Sequence, residues 1–222
     1  INRSYCKKLI LMTKGQEHPT QYHLVKEETF RILHGEIELI LDDKSRILKK
    51  VDGSVLAIFV NNELSRNNLI REMQKRGIEA NRLIFSESLP RLEYLARNTV
   101  VDLFLDTFPY NAGTTASDSL RMNLPVLTLK GNSYANRMGA SLLTAINLPE
   151  LIANSEEEYE LMAIELGINP QKYEDIKNKL SNNLRVTPLF NTKQFTNHLE
   201  SAFTEIYKTY HKGDKPDHIC VE

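Results

Sequence analysis

From residue 51 onward, the chain alternates between short, continuously apolar runs and longer segments in which an apolar residue returns every third or fourth position. The short runs predict strands and the longer segments predict helices, because these are the periods of the two backbones. The run at 55–60 also suits burial on both faces of a sheet. The strands are predicted at residues 55–60, 82–86, 101–105 and 124–129, and the helices at residues 65–76, 91–98 and from 114 onward.

These repeated β-α-β units predict an α/β fold with a parallel, doubly wound sheet. In such a sheet, ligands bind at the carboxyl ends of the strands. We expect Ser65 to cap the first helix and Gly77 to end it.

Helices also dominate the part of the chain that follows the last long strand. They are predicted at residues 134–146, 155–166, 170–184 and 192–210, with a turn and a short strand at 148–153. The last helix carries large apolar side chains at helical spacing, namely Phe195, Leu199, Phe203, Ile206 and Tyr210. This stripe predicts a face that docks against the sheet domain.

The first fifty or so residues follow a β pattern instead. Short apolar runs lie at residues 9–12, 29–33, 36–41 and 45–48. Turn signals at 34–35 and 42–45 separate them, which predicts hairpins of a small barrel or sandwich.

Composition excludes several classes of function. With 28 basic and 29 acidic residues, the chain has no broad field to attract nucleic acid or an anionic membrane, so neither is an expected partner. Cys6 and Cys220 form neither a disulfide framework nor a metal cluster, which fits a reduced, cytoplasmic setting. No stretch approaches the ~18 apolar residues of a membrane span, and no signal-peptide pattern opens the chain. The first residue, Ile1 rather than Met, suggests a fragment.

Candidate chemistry lies in the loop after the third predicted strand. The strand ends at Asp106, the loop contains Gly113, and Thr114 and Thr115 stand where a helix begins. Hydroxyls and unpaired N–H groups in the first turn of a helix attract phosphate, and the helix dipole adds to this attraction. We therefore expect a phosphate site here, with the nucleobase near the loop after the second strand. We interpret Asp106 as shaping the loop rather than as a general base.

Each of the neighbouring polar residues also has a purely structural interpretation. Thr114 or Thr115 would serve as an N-cap, and Asp118 as a first-turn carboxylate favoured by the dipole. Arg91, Glu93 and Arg97 would form a solvated helix face. The residues alone leave these alternatives open.

Several separated motifs run through the same part of the chain in a fixed order. They are Asp-Thr-Phe-Pro-Tyr-Asn-Ala-Gly-Thr-Thr-Ala-Ser-Asp at 106–118, Leu-Pro-Val-Leu-Thr-Leu-Lys-Gly at 124–131, Arg-Met-Gly-Ala-Ser-Leu-Leu at 137–143, Pro-Leu-Phe-Asn-Thr-Lys-Gln-Phe at 188–195 and Gly-Asp-Lys-Pro-Asp-His at 213–218. Together they resemble the protein O-GlcNAc transferase family, which includes Spindly-type and bacterial members. The resemblance covers about residues 47–222. It implies that residues 51–222 form the C-terminal, donor-binding lobe of a GT-B-type, Rossmann-like glycosyltransferase.

The resemblance also implies which residues contact the nucleotide base. Leu89 occupies the place whose backbone contacts uracil, and Arg91 that of a basic residue beside the base. Tyr94 stands where the animal enzymes stack a histidine on uracil, so it keeps the stacking surface but loses the titrating ring. Arg97 matches a further basic residue near the nucleotide.

On the phosphate side, Thr114 and Thr115 match the pair that binds the diphosphate, and Asp118 matches the carboxylate that accepts from the ribose hydroxyls. Gly113 replaces a histidine of the animal enzymes, as in bacterial and Spindly-type members.

The implied function is inverting transfer of a sugar from UDP-GlcNAc to a protein Ser or Thr, with no cofactor required. The implied partners are the nucleotide sugar, a protein acceptor and an N-terminal lobe. That lobe would carry the family's phosphate-binding lysine and acceptor-side histidines, without which the chain is incomplete for catalysis. The alternatives are a GDP-fucose-using, Spindly-type transferase and a non-catalytic module that binds nucleotide, sugar or metal.

Residues 1–50 resemble the first motif of the cupin family. Gly15, Gln21, His23, Glu28 and Gly35 have its spacing, and His18 lies on the same loop. Alternate residues on a strand point the same way, so Gln21, His23 and Glu28, with His18, are the candidate ligands for a divalent metal. Glutamine is a weaker ligand than the usual histidine, and the second cupin motif is absent. We therefore favour a partial cupin-like β segment without metal.

Overall fold

The structure, a computed structural model, describes residues 42–221. Its strands are β1 Leu56–Phe59, β2 Leu83–Ser86, β3 Phe104–Leu105, β4 Val126–Leu129 and β5 Ile152–Ala153. Its helices are α1 Asp42–Lys50, α2 Glu63–Lys75, α3 Arg91–Arg97, α4 Thr114–Arg121, α5 Met138–Ala145, α6 Glu156–Ile168, α7 Pro170–Val186 and α8 Thr192–Lys212. The predicted α/β alternation is confirmed, as strands and helices alternate from β1 to α6.

The strands pair in parallel, as predicted, but they form two ladders rather than one continuous sheet. One ladder joins β1 to β2, and the other has the order β3-β4-β5. Residues 101–103 belong to the third predicted apolar run but lie outside β3, which is only two residues long.

The β1–β2 ladder is less buried than its apolar sequence predicts. Side chains of β1 alternate between half-buried and exposed positions, and Phe59 keeps 51% of its surface accessible. Ile84 of β2 is 50% exposed. The prediction that this run is buried on both faces is therefore wrong. One face of the strand pair stays open in residues 42–221.

Strand β4 forms the centre of the larger ladder, and helices cover both of its faces. Val126 packs with Leu120 of α4 and Leu143 of α5 on one side. The next residue, Leu127, packs on the other side with Tyr159 of α6. Burial of successive residues on opposite faces is what a doubly wound arrangement requires.

Helix α1 replaces the turn at 42–45 and the strand at 45–48 that the sequence predicts. Ile47 and Leu48 are both buried, and Ile47 packs with Tyr159 and Ala163 of α6. Lys49 and Lys50 lie in the last turn, where the negative end of the helix dipole favours cations. A short apolar run is compatible with the period of a strand and with that of a helix, and here packing against α6 favours the helix.

The first helix of the β-α-β series begins earlier than predicted. Asn62, not Ser65, caps α2, and its side chain accepts a hydrogen bond of 2.8 Å from the Ser65 backbone N–H. Gly77 follows the helix with a φ of +77°, which agrees with its predicted role as the stop.

The apolar stripe of α8 does not dock on the described part of the chain. Phe195, Leu199, Phe203, Ile206 and Tyr210 are all exposed, and α8 has no buried residue. The prediction of a face packed on the sheet domain is therefore wrong for residues 42–221. Among residues 42–221, no helix combines the length and the hydropathy of a membrane span.

The cupin-like candidates Gly15, His18, Gln21, His23, Glu28 and Gly35 lie outside the described residues. The metal prediction made for them stays a prediction.

Candidate functional site

Two loops that follow strands lead into the helices of the candidate site. Residues 87–90 connect β2 to α3, and residues 106–113 connect β3 to α4. Leu89 is a half-exposed residue of the first loop, directly before Pro90, which caps α3. The predicted base-side residues therefore lie on α3 and its entry, and the predicted phosphate and ribose residues on α4 and its entry.

A bidentate ion pair joins α3 to α4. Arg91 Nη1 donates to Asp118 Oδ2 at 2.6 Å, and Arg91 Nη2 donates to Asp118 Oδ1 at 2.7 Å. The Asp118 side chain is 9% exposed, whereas that of Arg91 is 59% exposed. The hydrogen bonds to Asp118 raise the pKa of Arg91 above its ordinary value, because they favour the charged guanidinium.

Tyr94 lies between two guanidinium groups on the same helix. The Arg91 and Arg97 guanidinium carbons are 5.5 and 5.3 Å from the centre of its ring. Burial raises the pKa of the Tyr94 hydroxyl, and the charge of Asp118 adds to this effect. The ring therefore stays a neutral aromatic surface at physiological pH.

Arg97, at the end of α3, carries a buried hydrogen-bond donor. Its Nη1 atom is buried and has no hydrogen-bond partner within residues 42–221. A buried donor without a partner carries an energetic cost that a ligand acceptor would relieve.

Asn98 and Ser119 provide a second link between α3 and α4. The Ser119 hydroxyl donates to Asn98 Oδ1 at 3.2 Å, while Asn98 Nδ2 donates to the carbonyls of Tyr94 and Leu95. The two helices are thus tied near the start of α3 by Arg91 and at its end by Asn98.

Asp106 organises the loop between β3 and α4. Its Oδ1 accepts the backbone N–H groups of Thr107 at 2.9 Å and Ala112 at 2.7 Å. Its Oδ2 accepts the Thr128 hydroxyl at 2.7 Å, and its carbonyl accepts the Tyr159 hydroxyl at 2.9 Å. With both carboxylate oxygens engaged inside the protein, Asp106 shapes the loop, as the sequence predicts.

Burial raises the pKa of Asp106 from 3.8 to about 6, although hydrogen bonds from Thr128, Ala112 and Thr107 oppose this shift. The side chain is fully buried, so desolvation of the carboxylate outweighs the three donors.

The start of α4 has the features of an anion site. Gly113 is the N-cap and makes no side-chain capping bond, and the first intrahelical bond runs from Ser117 N–H to the Gly113 carbonyl. Thr114 and Thr115 follow as exposed residues of the first turn. Because neither is the N-cap, their hydroxyls are not used to cap the helix, and the structural interpretation of this pair is wrong.

The structural interpretation of Asp118 is wrong, and that of Arg91, Glu93 and Arg97 agrees with the structure only in part. Asp118 lies beyond the first turn of α4 and pairs with a cation from another helix. Arg91 and Glu93 are exposed, as a solvated face requires. Arg91 also makes the interhelical pair, however, and Arg97 is partly buried.

A third strand end, after β4, opens on a separate cavity of about 430 Å³. Lys130 and Arg137 line this cavity, together with Ser141 and Asn154. None of the residues predicted to bind nucleotide lines it. Within residues 42–221 there is no group of three or more side chains that could hold a metal ion.

Sequence reasoning missed three positioning residues, Thr128, Asn98 and Asn111. Thr128 is the one polar residue of β4 and is fully buried. A polar residue inside an apolar strand is the sequence signal that could have identified it. Asn111 is buried and donates to the Thr107 carbonyl at 2.9 Å, which closes the loop. The link from Asn98 to Ser119 has no local signal, because the two residues are 21 positions apart. Asn111 bonds within its own loop, but its type alone does not show this bond.

Comparison with known proteins places this arrangement among glycosyltransferases. The sequence model of Glycosyl transferase family 41 matches residues 30–199, which is more than half of the chain. This match overlaps residues 30–50 of the segment predicted to be cupin-like, and that prediction gains no support from it.

Two curated relatives illustrate the sequence similarity. A barley (Hordeum vulgare) protein described as a probable UDP-N-acetylglucosamine–peptide N-acetylglucosaminyltransferase SPINDLY is 31% identical over 155 residues, which cover 68% of this chain and 16% of the relative. The Caenorhabditis elegans UDP-N-acetylglucosamine–peptide N-acetylglucosaminyltransferase is 29% identical over 179 residues, which cover 81% of this chain and 16% of the relative. The chain thus spans about a sixth of the length of these relatives.

A solved structure supports the fold. A mutant of the Thermobaculum terrenum O-GlcNAc transferase superposes with a TM-score of 0.71 at 30% sequence identity. The match covers 76% of this chain and 33% of the bacterial chain.

Proposed function

Because this chain belongs to glycosyl transferase family 41, we propose that it is the donor-binding lobe of a protein O-linked glycosyltransferase that uses UDP-N-acetylglucosamine. The observation that carries the proposal is the start of α4, which has no side-chain capping bond. Thr114 and Thr115 lie in its first turn, and the buried Asp118 carboxylate lies one turn later. The barley and nematode relatives are named as UDP-N-acetylglucosamine–peptide transferases.

The diphosphate would bind at the start of α4. The first N–H groups of a helix lack intrahelical partners, and the positive end of the dipole favours an anion. The exposed Thr114 and Thr115 hydroxyls add two donors. Gly113, the N-cap, adds no side chain at the entry to α4, where a Cβ would contact Met138.

Ribose and base would lie between α4 and α3. Asp118 can only accept hydrogen bonds when ionised, which suits the ribose hydroxyls. The Tyr94 ring offers a stacking surface, and the buried Nη1 of Arg97 offers a donor to a carbonyl of the base.

In the proposed reaction, an acceptor Ser or Thr hydroxyl attacks the anomeric carbon of the sugar, which inverts, and the bond to the β-phosphate oxygen breaks. The hydroxyl proton passes to solvent or to the leaving diphosphate. Negative charge then grows on the leaving UDP. The N–H groups at the start of α4 and the two threonine hydroxyls would stabilise it, which is an electrostatic contribution to catalysis. The acceptor protein and a second lobe are proposed partners, since the chain spans one third of the bacterial transferase.

A second candidate is a nucleotide-binding module without turnover. The hydrogen bonds of Asp106, the buried carboxylate that begins the loop at 106–113, favour this candidate. Both of its side-chain oxygens already accept hydrogen bonds from groups within the protein. Such a carboxylate is poorly placed to take a proton from an acceptor hydroxyl. A GDP-sugar donor is a variant of the first proposal.

Isothermal titration of the purified chain with UDP and, separately, with GDP tests the donor site. We expect micromolar binding of UDP that Thr114→Ala and Asp118→Ala each weaken more than about tenfold, or roughly 1.4 kcal/mol. Thr192→Ala is a matched control, because Thr192 is the exposed first residue of another helix, α8.

Stronger binding of GDP would instead identify a GDP-sugar enzyme. Absence of binding for both nucleotides, or an equal loss of affinity in the control variant, would refute the donor site. Transfer of sugar to a peptide after addition of a second lobe would separate the enzyme from the binding module.

A further inference from the structure

One guanidinium group covers two of the surfaces that the proposed donor needs. Arg91 binds both oxygens of Asp118, the proposed ribose acceptor. The same guanidinium lies 5.5 Å from the ring centre of Tyr94, the proposed base-stacking surface. A nucleoside that used both surfaces would have to compete with Arg91.

We propose that Arg91 is a latch: it leaves Asp118 and Tyr94 when the nucleotide binds, and pairs with the diphosphate instead. This inference rests on the proposed donor site and specifies how that site recognises a nucleoside diphosphate in preference to a nucleoside. Arg91 acts as a positioning residue in the empty site and as a phosphate contact in the bound one.

The distances allow this exchange. Asp118 follows Thr114 by four residues, which is about 6 Å along a helix axis. Arg91 is the first residue of α3, and more than half of its side chain is exposed, so its long side chain can reorient without disturbing a core. A shift of about one helical turn carries the guanidinium from the carboxylate to the start of α4.

Charge favours the same exchange. The loop at 107–113 contains neither lysine nor arginine, so it supplies no cation of its own to the diphosphate. A guanidinium forms paired, charge-assisted hydrogen bonds with phosphate as readily as with carboxylate. Asp118 would lose Arg91 but gain the ribose hydroxyls as donors, so neither charged group would be left without a partner.

The exchange has a distinctive consequence for affinity. Uridine alone must displace Arg91 without offering it a new anion, so Arg91 opposes uridine binding. UDP offers the displaced guanidinium a diphosphate, so Arg91 promotes UDP binding. Removal of Arg91 should therefore change the two affinities in opposite directions.

Titration of wild type, Arg91→Met and Arg91→Lys with uridine and with UDP tests the latch. We expect Arg91→Met to bind uridine about fivefold more tightly and UDP about tenfold more weakly than wild type. Arg91→Lys keeps a cation but loses the planar fork, so it should bind uridine more tightly and hold UDP within about threefold of wild type. Arg71→Met, at an exposed site on α2, is the matched control and should change neither affinity.

Weaker binding of both ligands by Arg91→Met would show a fixed scaffold and overturn the latch, as would unchanged affinities. Thermal unfolding of each variant shows whether a change in affinity comes from loss of the fold. If Arg91→Met does not fold, the uridine and UDP affinities of Arg91→Lys test the latch. Failure of wild type to bind UDP would refute the donor site itself, whereas UDP binding without the opposite changes would refute only the latch.

Discussion

Replacement of Asp106 by asparagine should stabilise the chain at neutral pH. The buried carboxylate has a pKa of about 6 in the folded state, against an ordinary value of 3.8. Asparagine removes the buried charge, and its Oδ1 still accepts from Thr107 and Ala112. Its amide can donate to the Thr128 hydroxyl, which accepts as well as donates.

The sign of the pH effect follows from the direction of the shift. Between pH 3.8 and about 6 the folded state keeps the Asp106 proton while the unfolded state loses it. The contribution of Asp106 to stability is therefore fully present below pH 3.8 and is lost as the pH rises through about 6. A shift of this size corresponds to about 3 kcal/mol at neutral pH.

Urea unfolding at several values between about pH 4 and pH 8 measures this effect as the difference between Asp106→Asn and wild type. The difference should be near zero at the acidic end and rise to about 3 kcal/mol in favour of the variant at neutral pH. Asp175→Asn, at an exposed position of α7, is the control and should give a difference that is small and nearly independent of pH.

Asp106→Ala should lose about 3 kcal/mol near pH 4, because the Thr107 and Ala112 N–H groups and the Thr128 hydroxyl would all lose their acceptor. The loss should shrink towards neutral pH, because alanine also removes the buried charge that destabilises wild type there. A variant Asp106→Asn that is less stable than wild type at neutral pH would refute the reasoning. It would show that the ionised carboxylate stabilises the loop more than burial penalises it.

Two further predictions concern packing. Gly139→Ala should destabilise the chain by about 1–3 kcal/mol in urea unfolding, since a Cβ there would lie within 3.0 Å of the Thr128 hydroxyl and of Asp106 Oδ2 and would separate that hydrogen-bonded pair. An unchanged midpoint would contradict this close packing. Phe203→Ser should change the free energy of unfolding of this chain by no more than about 0.5 kcal/mol, because Phe203 is 60% exposed. A loss above about 2 kcal/mol would show that the α8 stripe is buried in solution.

Much of the candidate site was within reach of sequence reasoning. The loop between Asp106 and Thr114 has a signature that depends only on neighbouring residues: an apolar strand, a break and a helix start. The structure begins α4 at Thr114, as this pattern predicts. The pattern alone did not show that Gly113 is the N-cap and that both threonine hydroxyls are not used for capping.

The errors at the two ends of the described chain share one cause. Residues 45–48 and the stripe on α8 are apolar patterns whose burial depends on a partner. Ile47 packs against α6, and this contact favours a helix where the sequence predicts a strand. The α8 stripe has none within residues 42–221.

The sequence by itself determined the order of strands and helices, the position of the loop between β3 and α4 and the family, because each depends on residues close together along the chain. Tertiary structure alone decided that Arg91 binds Asp118, 27 residues away, and that Asp106 binds Thr128, 22 residues away. The reason is physical: side-chain partners across helices and strands depend on which faces meet when the core packs, and local periodicity carries no information about that choice.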